Sequence, residues 1–228
     1  MIYITGDAHI PIDITKLSTK NFPTQKELCK DDFVIICGDF GGVWNNDNEE
    51  MYWRKWLDNK NFTTLFVDGN HENFTLLNEF EIVDFCGGKA RKISDSIYHL
   101  MRGEIYTIDG NRIFAFGGAS SHDVDYRTKG KNWWEEELPS ETEFEHAQKN
   151  LEKVNWTVDY IVTHCAPTSV QQILNWDYSP DKLTDFFDIV KSKATCKNWF
   201  FGHYHIDKRL DKQFYCLFNN IYQIPTAE

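Results

Sequence analysis

Phe33-Val34-Ile35-Ile36-Cys37-Gly38-Asp39 is an apolar run that stops at a glycine and an acid. Its β-branched and aromatic residues read as a short strand buried on both faces, and Gly-Asp as the turn that leaves it. The phrase recurs outward in both directions. Ile2 to Thr5 runs into Gly6-Asp7-Ala8-His9, and Thr64 to Val67 into Gly69-Asn70-His71-Glu72. Later, Asp159 to Thr163 precedes His164, and Asn198 to Phe201 precedes Gly202-His203-Tyr204-His205. Five of the eight histidines thus stand just past strand-like runs. Two carboxylates, one amide and several imidazoles suit a two-metal centre with oxygen and nitrogen donors, and metal-assisted hydrolysis of a phosphate ester is the matching chemistry.

The spacing adds an architecture. Asp39 lies 32 residues after Asp7, and Asn70 lies 31 after Asp39, each interval long enough for a helical crossover between parallel strands. Glu49 to Asn59 reads as a helix capped by Asp47 or Asn48, with Tyr52, Trp53 and Trp56 on its buried side. Ile97 to Leu100, Ile105 to Ile108 and Ile113 to Phe116 read as a meander with a turn at Asp109-Gly110-Asn111. Ser140 and Glu143 form a capping box that opens a helix to about Lys153. Another helix is expected from Ser179-Pro180 to about Lys193, with Pro180 at its first position. Strand-like pieces near Phe214 to Phe218 and Ile221 to Ile224 close the chain. Crossovers mixed with consecutive strands favour layered α/β architecture with mixed sheets over a purely parallel sheet.

Composition narrows the function classes. The 228 residues carry a formal net charge of −11, which argues against an extended nucleic-acid footprint. Two divalent ions carry +4 while Asp7, Asp39 and a bridging hydroxide return about −3, so the centre itself would keep roughly one positive charge for a phosphoryl oxygen. The six cysteines contain no CxxC pair, and several lie in apolar runs, so reduced thiols are expected. With no membrane span or signal-like start in view, a soluble cytoplasmic protein with no membrane partner is the expectation.

The phrases DxH, GD, GNH followed by an acid, a strand-end His and GHxH stand here in that order, from Asp7 to His205. In this the chain resembles the calcineurin-like metallophosphoesterase superfamily. The fold to expect is then an α/β/β/α sandwich of two mixed β-sheets, one domain over residues 1–228, with the metal site at strand ends. The resemblance implies that Asp7, His9 and His205 bind one metal, that Asn70, His164 and His203 bind the other, and that Asp39 bridges them. Two dications at such a site repel by on the order of 20 kcal/mol at an effective dielectric near 20, so a shared carboxylate and hydroxide are needed between them. Manganese is the first choice of metal; iron, zinc, nickel and cobalt suit the same donors. The resemblance also gives His71 the leaving-group role beside a metal-bridging hydroxide. Scaffolding members of the superfamily lack that histidine, so its presence favours an enzyme.

Each residue has a plainer reading. His9 or His164 alone would more often be a structural histidine, Asp7 and Asp39 turn residues or caps, Asn70 a turn residue, and His71 a loop histidine oriented by Glu72. Taken as a set, they read as ligands. His203 and His205, two apart, would share one face of a strand.

Substrate recognition is less legible. Where relatives often continue Gly-Asp with Arg-Gly, this chain has Phe40-Gly41-Gly42-Val43-Trp44, which removes the arginine clamp of the protein-phosphatase and diadenosine-tetraphosphatase branches. Arg127, in the polar stretch after Gly117-Gly118, is the candidate replacement. His122 reads by default as a loop histidine, Trp44, Trp176, Tyr178 and at least one of Trp133 and Trp134 as packing, and Glu135 to Glu137 as a solvated run. The leading expectation is a dimetal hydrolase of a small phosphomonoester or phosphodiester. The alternatives are a nuclease, a monometallic hydrolase and a non-catalytic interaction module on the same fold.

Overall fold

A computed structural model describes residues 1–225. Seven strands form the first sheet: β1 (Ile2–Thr5), β2 (Phe33–Ile36), β3 (Thr63–Phe66), β4 (Ile82–Phe85), β5 (Gly88–Lys92), β6 (Ile97–Leu100) and β13 (Ile221–Gln223). Six form the second: β7 (Glu104–Ile108), β8 (Asn111–Phe116), β9 (Tyr160–Thr163), β10 (Asn198–Phe201), β11 (Lys208–Leu210) and β12 (Phe214–Cys216). Their orders are β13-β1-β2-β3-β6-β5-β4 and β11-β12-β10-β9-β8-β7. β1, β2, β3 and β6 are mutually parallel neighbours, as are β8, β9, β10 and β12. Antiparallel strands finish both edges.

Strand alternation explains the layers. Ile2, Ile4, Ile35 and Leu65 point between the sheets and meet Ile113, Tyr160, Val162 and Phe200. Their neighbours Tyr3, Val34, Ile36 and Phe66 point outward and pack with Leu57 of α1 (Asn48–Asp58). On the far side Phe114, Phe116, Ile161 and Trp199 pack under α3 (Glu141–Lys153) and α5 (Lys182–Lys193) through Leu151, Leu183, Phe187 and Val190. Both faces of each sheet are therefore apolar, as the continuous runs demand, and each such buried side chain contributes about 1.5–3 kcal/mol. The result is the expected α/β/β/α sandwich. Short helices α2 (Phe74–Leu77) and α4 (Thr168–Leu174) complete it.

Several details differ from the sequence reading. The expected meander is split: β6 pairs with β3 and β5, whereas β7 and β8 form a hairpin in the other sheet. The chain crosses over through a turn at Gly103, where φ is 79°, and period-two alternation carries no label for the sheet a strand will join. The first crossover holds two 3-10 segments, Ile14–Leu17 and Pro23–Glu27, instead of an α-helix. Helix α1 is capped by Asp47, yet Tyr52 is exposed and Glu50, Arg54 and Leu57 are the buried residues. Helix α5 starts after Asp181, whose carboxylate accepts the Thr184 N–H (2.8 Å) in a capping box, so Pro180 lies outside it.

Candidate metal centre

The C-terminal ends of β1, β2, β3, β9 and β10 point to one edge of the sandwich, where open α/β sheets commonly hold ligands. Asp7 and Asp39, beyond β1 and β2, are both buried. Asp7 accepts the His203 N–H at both carboxylate oxygens (2.9 and 3.1 Å), and its Oδ2 lies 3.3 Å from His205 Nε2. Asp39 Oδ1 accepts the His71 N–H (2.8 Å) and lies 3.3 Å from His164 Nε2, while its Oδ2 lies 3.2 Å from His9 Nε2. One donor atom each from Asp7, His9, Asp39 and His205 falls within 4.8 Å of all the others. Beside them, Asn70 Oδ1 is 3.2 Å from His164 Nε2, and the His164 and His203 rings are 5.0 Å apart.

Local backbone chemistry makes this convergence possible. His9, Asp39, His203 and His205 all have positive φ, between 34° and 67°. Asn70 does not share that conformation, and His203 and His205 lie in a loop past β10, so strand alternation is not what brings them together. A Cβ at Gly202 would collide with the Asp7 carboxylate, and one at Gly69 with that of Asp39. Glycine is thus required there for close approach.

Hydrogen bonds behind the ligand atoms fix the imidazoles. His9 Nδ1 donates to Asp13 Oδ2 (2.9 Å), and His164 Nδ1 donates to the Cys37 carbonyl (2.7 Å). Each arrangement leaves Nε2 free to bind a cation, the usual tautomeric pattern of metal-bound histidine. Asn70 Nδ2 donates to Ser121 Oγ (3.2 Å), which turns Oδ1 toward His164. Lys16 donates to the carbonyls of Asp7 (2.6 Å) and Phe218, and Phe218 stacks on His205 at 4.9 Å. Glu72 accepts the Phe40 N–H (2.7 Å) and so braces the Asp39 turn, where sequence reading had it orienting His71. Ser121, Lys16 and the role of Asp13 were not anticipated; only the His9 to Asp13 spacing left a trace in the sequence.

The electrostatics suit a cation. Burial pushes Asp7 above the usual carboxylate range, with Asp39 adding to it against His164 and the His203 N–H. Burial also opposes ionisation of Asp39, but His164 and His9 outweigh it and hold the carboxyl well below the usual range. Burial would lower His164, yet Asp39 and Asp7 raise it to about 10. Burial, with His164 next, pushes His203 down to about 3. Among the described residues no lysine or arginine pairs with either carboxylate. Buried oxygens and pinned imidazoles fit divalent metal by the chemistry of the donors.

A family model for calcineurin-like phosphoesterases matches residues 1–207. The chain belongs to the calcineurin-like phosphoesterase family. No curated protein matches the sequence significantly. Membership makes this calcineurin-like phosphoesterase a metal-dependent hydrolase in general terms, and the family uses dinuclear centres. No helix among the described residues is long and apolar enough to cross a membrane.

The remaining expected site residues fall around the phosphoesterase cleft unequally. His71 is half-buried, its ring 5.7 Å from that of His9. Burial lowers its pKa; Asp39 opposes this, and Arg127 adds to the lowering. Arg127 is committed within its own loop, its Nε paired with Asp123 Oδ1 (2.7 Å) and Nη1 donating to the Asn132 carbonyl (3.2 Å), although its charge reaches His71. Trp134 is core, as expected of one of the pair, and donates to Thr75 Oγ1 (2.9 Å). Trp176 is exposed, against the packing reading. Glu137 is buried, against the solvated reading of its acidic run, and burial pushes its carboxyl up to about 7.

Proposed function

We propose that the protein hydrolyses a small phosphomonoester or phosphodiester at a dinuclear centre in which Asp39 is the shared ligand. The observation that carries this reading is the Asp39 carboxylate itself. Its Oδ2 faces His9 and its Oδ1 faces His164, so each oxygen belongs to a different half of the donor set. Asp7, His9 and His205 would hold one cation, and Asn70, His164 and His203 the other. When bound, the cations supply Lewis acidity toward a phosphoryl oxygen and acidify a water enough to make it a nucleophile near neutral pH.

The chain's own groups supply the rest. His71 stands at the rim of the donor set, and its backbone is tied to Asp39. Its half-buried imidazole serves the leaving oxygen as an N–H donor. Asp13, the Cys37 carbonyl and Ser121 keep three ligands oriented, so little reorganisation accompanies binding. The free cysteines support a reducing, cytoplasmic setting.

Elemental analysis after loading with manganese should give two equivalents, and the loaded protein should cleave nitrophenyl phosphate or bis-nitrophenyl phosphate in preference to single-stranded DNA. One equivalent at saturation overturns the dinuclear reading; failure to cleave any phosphate ester overturns the enzyme. His71→Ala should keep both equivalents and lose about 10²-fold in kcat. Unchanged turnover would remove His71 from the chemistry.

A further inference from the structure

A cavity of about 280 Å³ opens beside His9 and His71. Ile10, Pro11 and Ile12 form one side, and Trp44 also lines it. Trp44 is anchored: its N–H donates to Glu50 Oε2 (2.9 Å), its carbonyl accepts from Asn73 Nδ2 (2.7 Å), and its ring meets Trp134 edge-on at 5.4 Å. Ile12 is 74% exposed, a large apolar side chain left in water at the mouth of the candidate centre.

Apart from His9 and His71, the ionisable side chains that line this cavity are acidic. Glu50 is consumed by the backbone N–H groups of Trp44, Asn45 and Asn46. Asp47, whose Oδ1 caps α1, and Glu49 are exposed, and among the described residues no lysine or arginine lines the cavity. A phosphate ester whose leaving oxygen sits at His71 must direct the group bonded to that oxygen into space that His71 borders. The alternative cavity beside His203 holds about 110 Å³ and has polar walls that include His122, Asp181 and Thr184. An apolar cavity of about 150 Å³ holds benzene, so the larger space has room for a ring, and its Ile10–Ile12 and Trp44 walls suit one better than the polar walls beside His203.

We propose that this cavity is a leaving-group site for a neutral or cationic single-ring alcohol, and that the substrates are phosphate esters of such alcohols. The proposal rests on the hydrolase reading above. Water adds its oxygen to phosphorus, the bond from phosphorus to the leaving oxygen breaks, and the ring alcohol departs with a proton from that water. The ring lies between the Ile10–Ile12 segment and Trp44, while Asp47 and Glu49 repel an anionic substituent and accept a cationic one.

The test compares 4-ethylphenyl, 4-(aminomethyl)phenyl and 4-(carboxymethyl)phenyl phosphate, which are close in leaving-group acidity. kcat/KM for the first two should exceed that for the third by at least about tenfold. Glu49→Lys should narrow that gap severalfold. Ile12→Asp, at a solvent-facing position that cannot disturb the core, should lower the preference for 4-ethylphenyl phosphate over glycerol 2-phosphate about tenfold. Saturation-transfer NMR gives a second readout: 4-ethylphenol should receive transfer from the wild-type protein and much less from Ile12→Asp. Equal use of the three esters, or equal transfer in both proteins, overturns the leaving-group site alone. A protein that cleaves no phosphate ester overturns the hydrolase reading and this proposal with it.

Discussion

Two groups of buried carboxylates lie close together and are neutralised in opposite ways. Asp68, just past β3, accepts from Arg102 Nε and Nη2 (2.9 and 2.5 Å) and from His99 Nε2 (2.9 Å). Although burial alone would raise its pKa, Arg102 and His99 hold that carboxyl far below the usual range. Asp7 and Asp39 face imidazoles and backbone N–H groups, with no guanidinium or ammonium on either carboxylate among the described residues. A carboxylate clamped by a fixed guanidinium has its counter-charge built in and belongs to the framework. Carboxylates gathered among imidazoles whose other nitrogens are pinned leave that role to a cation. Cavity size would mislead here: the space beside the Asp68 cluster is about 420 Å³, larger than the one beside His71.

The contrast is broken most directly by exchanging charge at each place. Asp39→Asn should abolish the shared ligand, cut metal uptake below two equivalents and lower hydrolysis by at least about 10³-fold, as read by elemental analysis and initial rates. The amide oxygen introduced at position 39 can still accept the His71 N–H, so the turn beyond β2 should persist. If the variant binds two equivalents with normal turnover, Asp39 is no bridge and the two carboxylate groups do not differ in kind.

Arg102→Leu should do the reverse. It leaves Asp68 buried without its main partner and should cost about 3–5 kcal/mol in urea unfolding while metal stoichiometry stays at two. The sign of the pH dependence follows from the lowered pKa. Below the folded-state pKa both states hold the proton and the pair contributes nothing; its contribution grows through the acid range and is complete above the unfolded value near 4. Wild-type stability should therefore fall steeply as pH drops below about 4, and the variant should lose that limb. A variant as stable as wild type would mean that Asp68 is not held by Arg102.

The same contrast explains what the sequence disclosed. Apolar runs ending in Gly-Asp, Gly-Asn and Gly-His mark both a strand end and a candidate donor, so the layers and the convergence of these side chains are legible together. Alternation in Ile2 to Thr5 and Phe33 to Cys37 even separates the inter-sheet face from the helix-covered one. Residues acting through a partner distant in the chain were silent. Lys16 reaches Phe218 across the molecule, and Ser121 reaches Asn70 from the loop beyond β8, contacts that no local pattern encodes. The side of α1 that is buried was misread for a related reason. Glu50 is drawn inward by three backbone N–H groups, and a carboxylate with such partners can take a place that hydropathy would give to Tyr52.

The smallest effect probes how far orientation alone separates the two places. Asn70 can coordinate only through Oδ1, and an amide presents Oδ1 or Nδ2 equally well unless something distinguishes them. Ser121 Oγ does so by accepting from Nδ2 (3.2 Å). In Ser121→Ala the amide can turn over, so part of the population presents N–H groups to the second cation position and must flip back before binding. Metal affinity in chelator competition should fall about tenfold for one of the two equivalents and stay unchanged for the other. Ser121→Thr, which keeps the hydroxyl, should restore it. Loss of affinity for both equivalents would show that Ser121 supports the loop generally, whereas a single weakened equivalent ties the hydroxyl to the half of the centre containing Asn70 and His164.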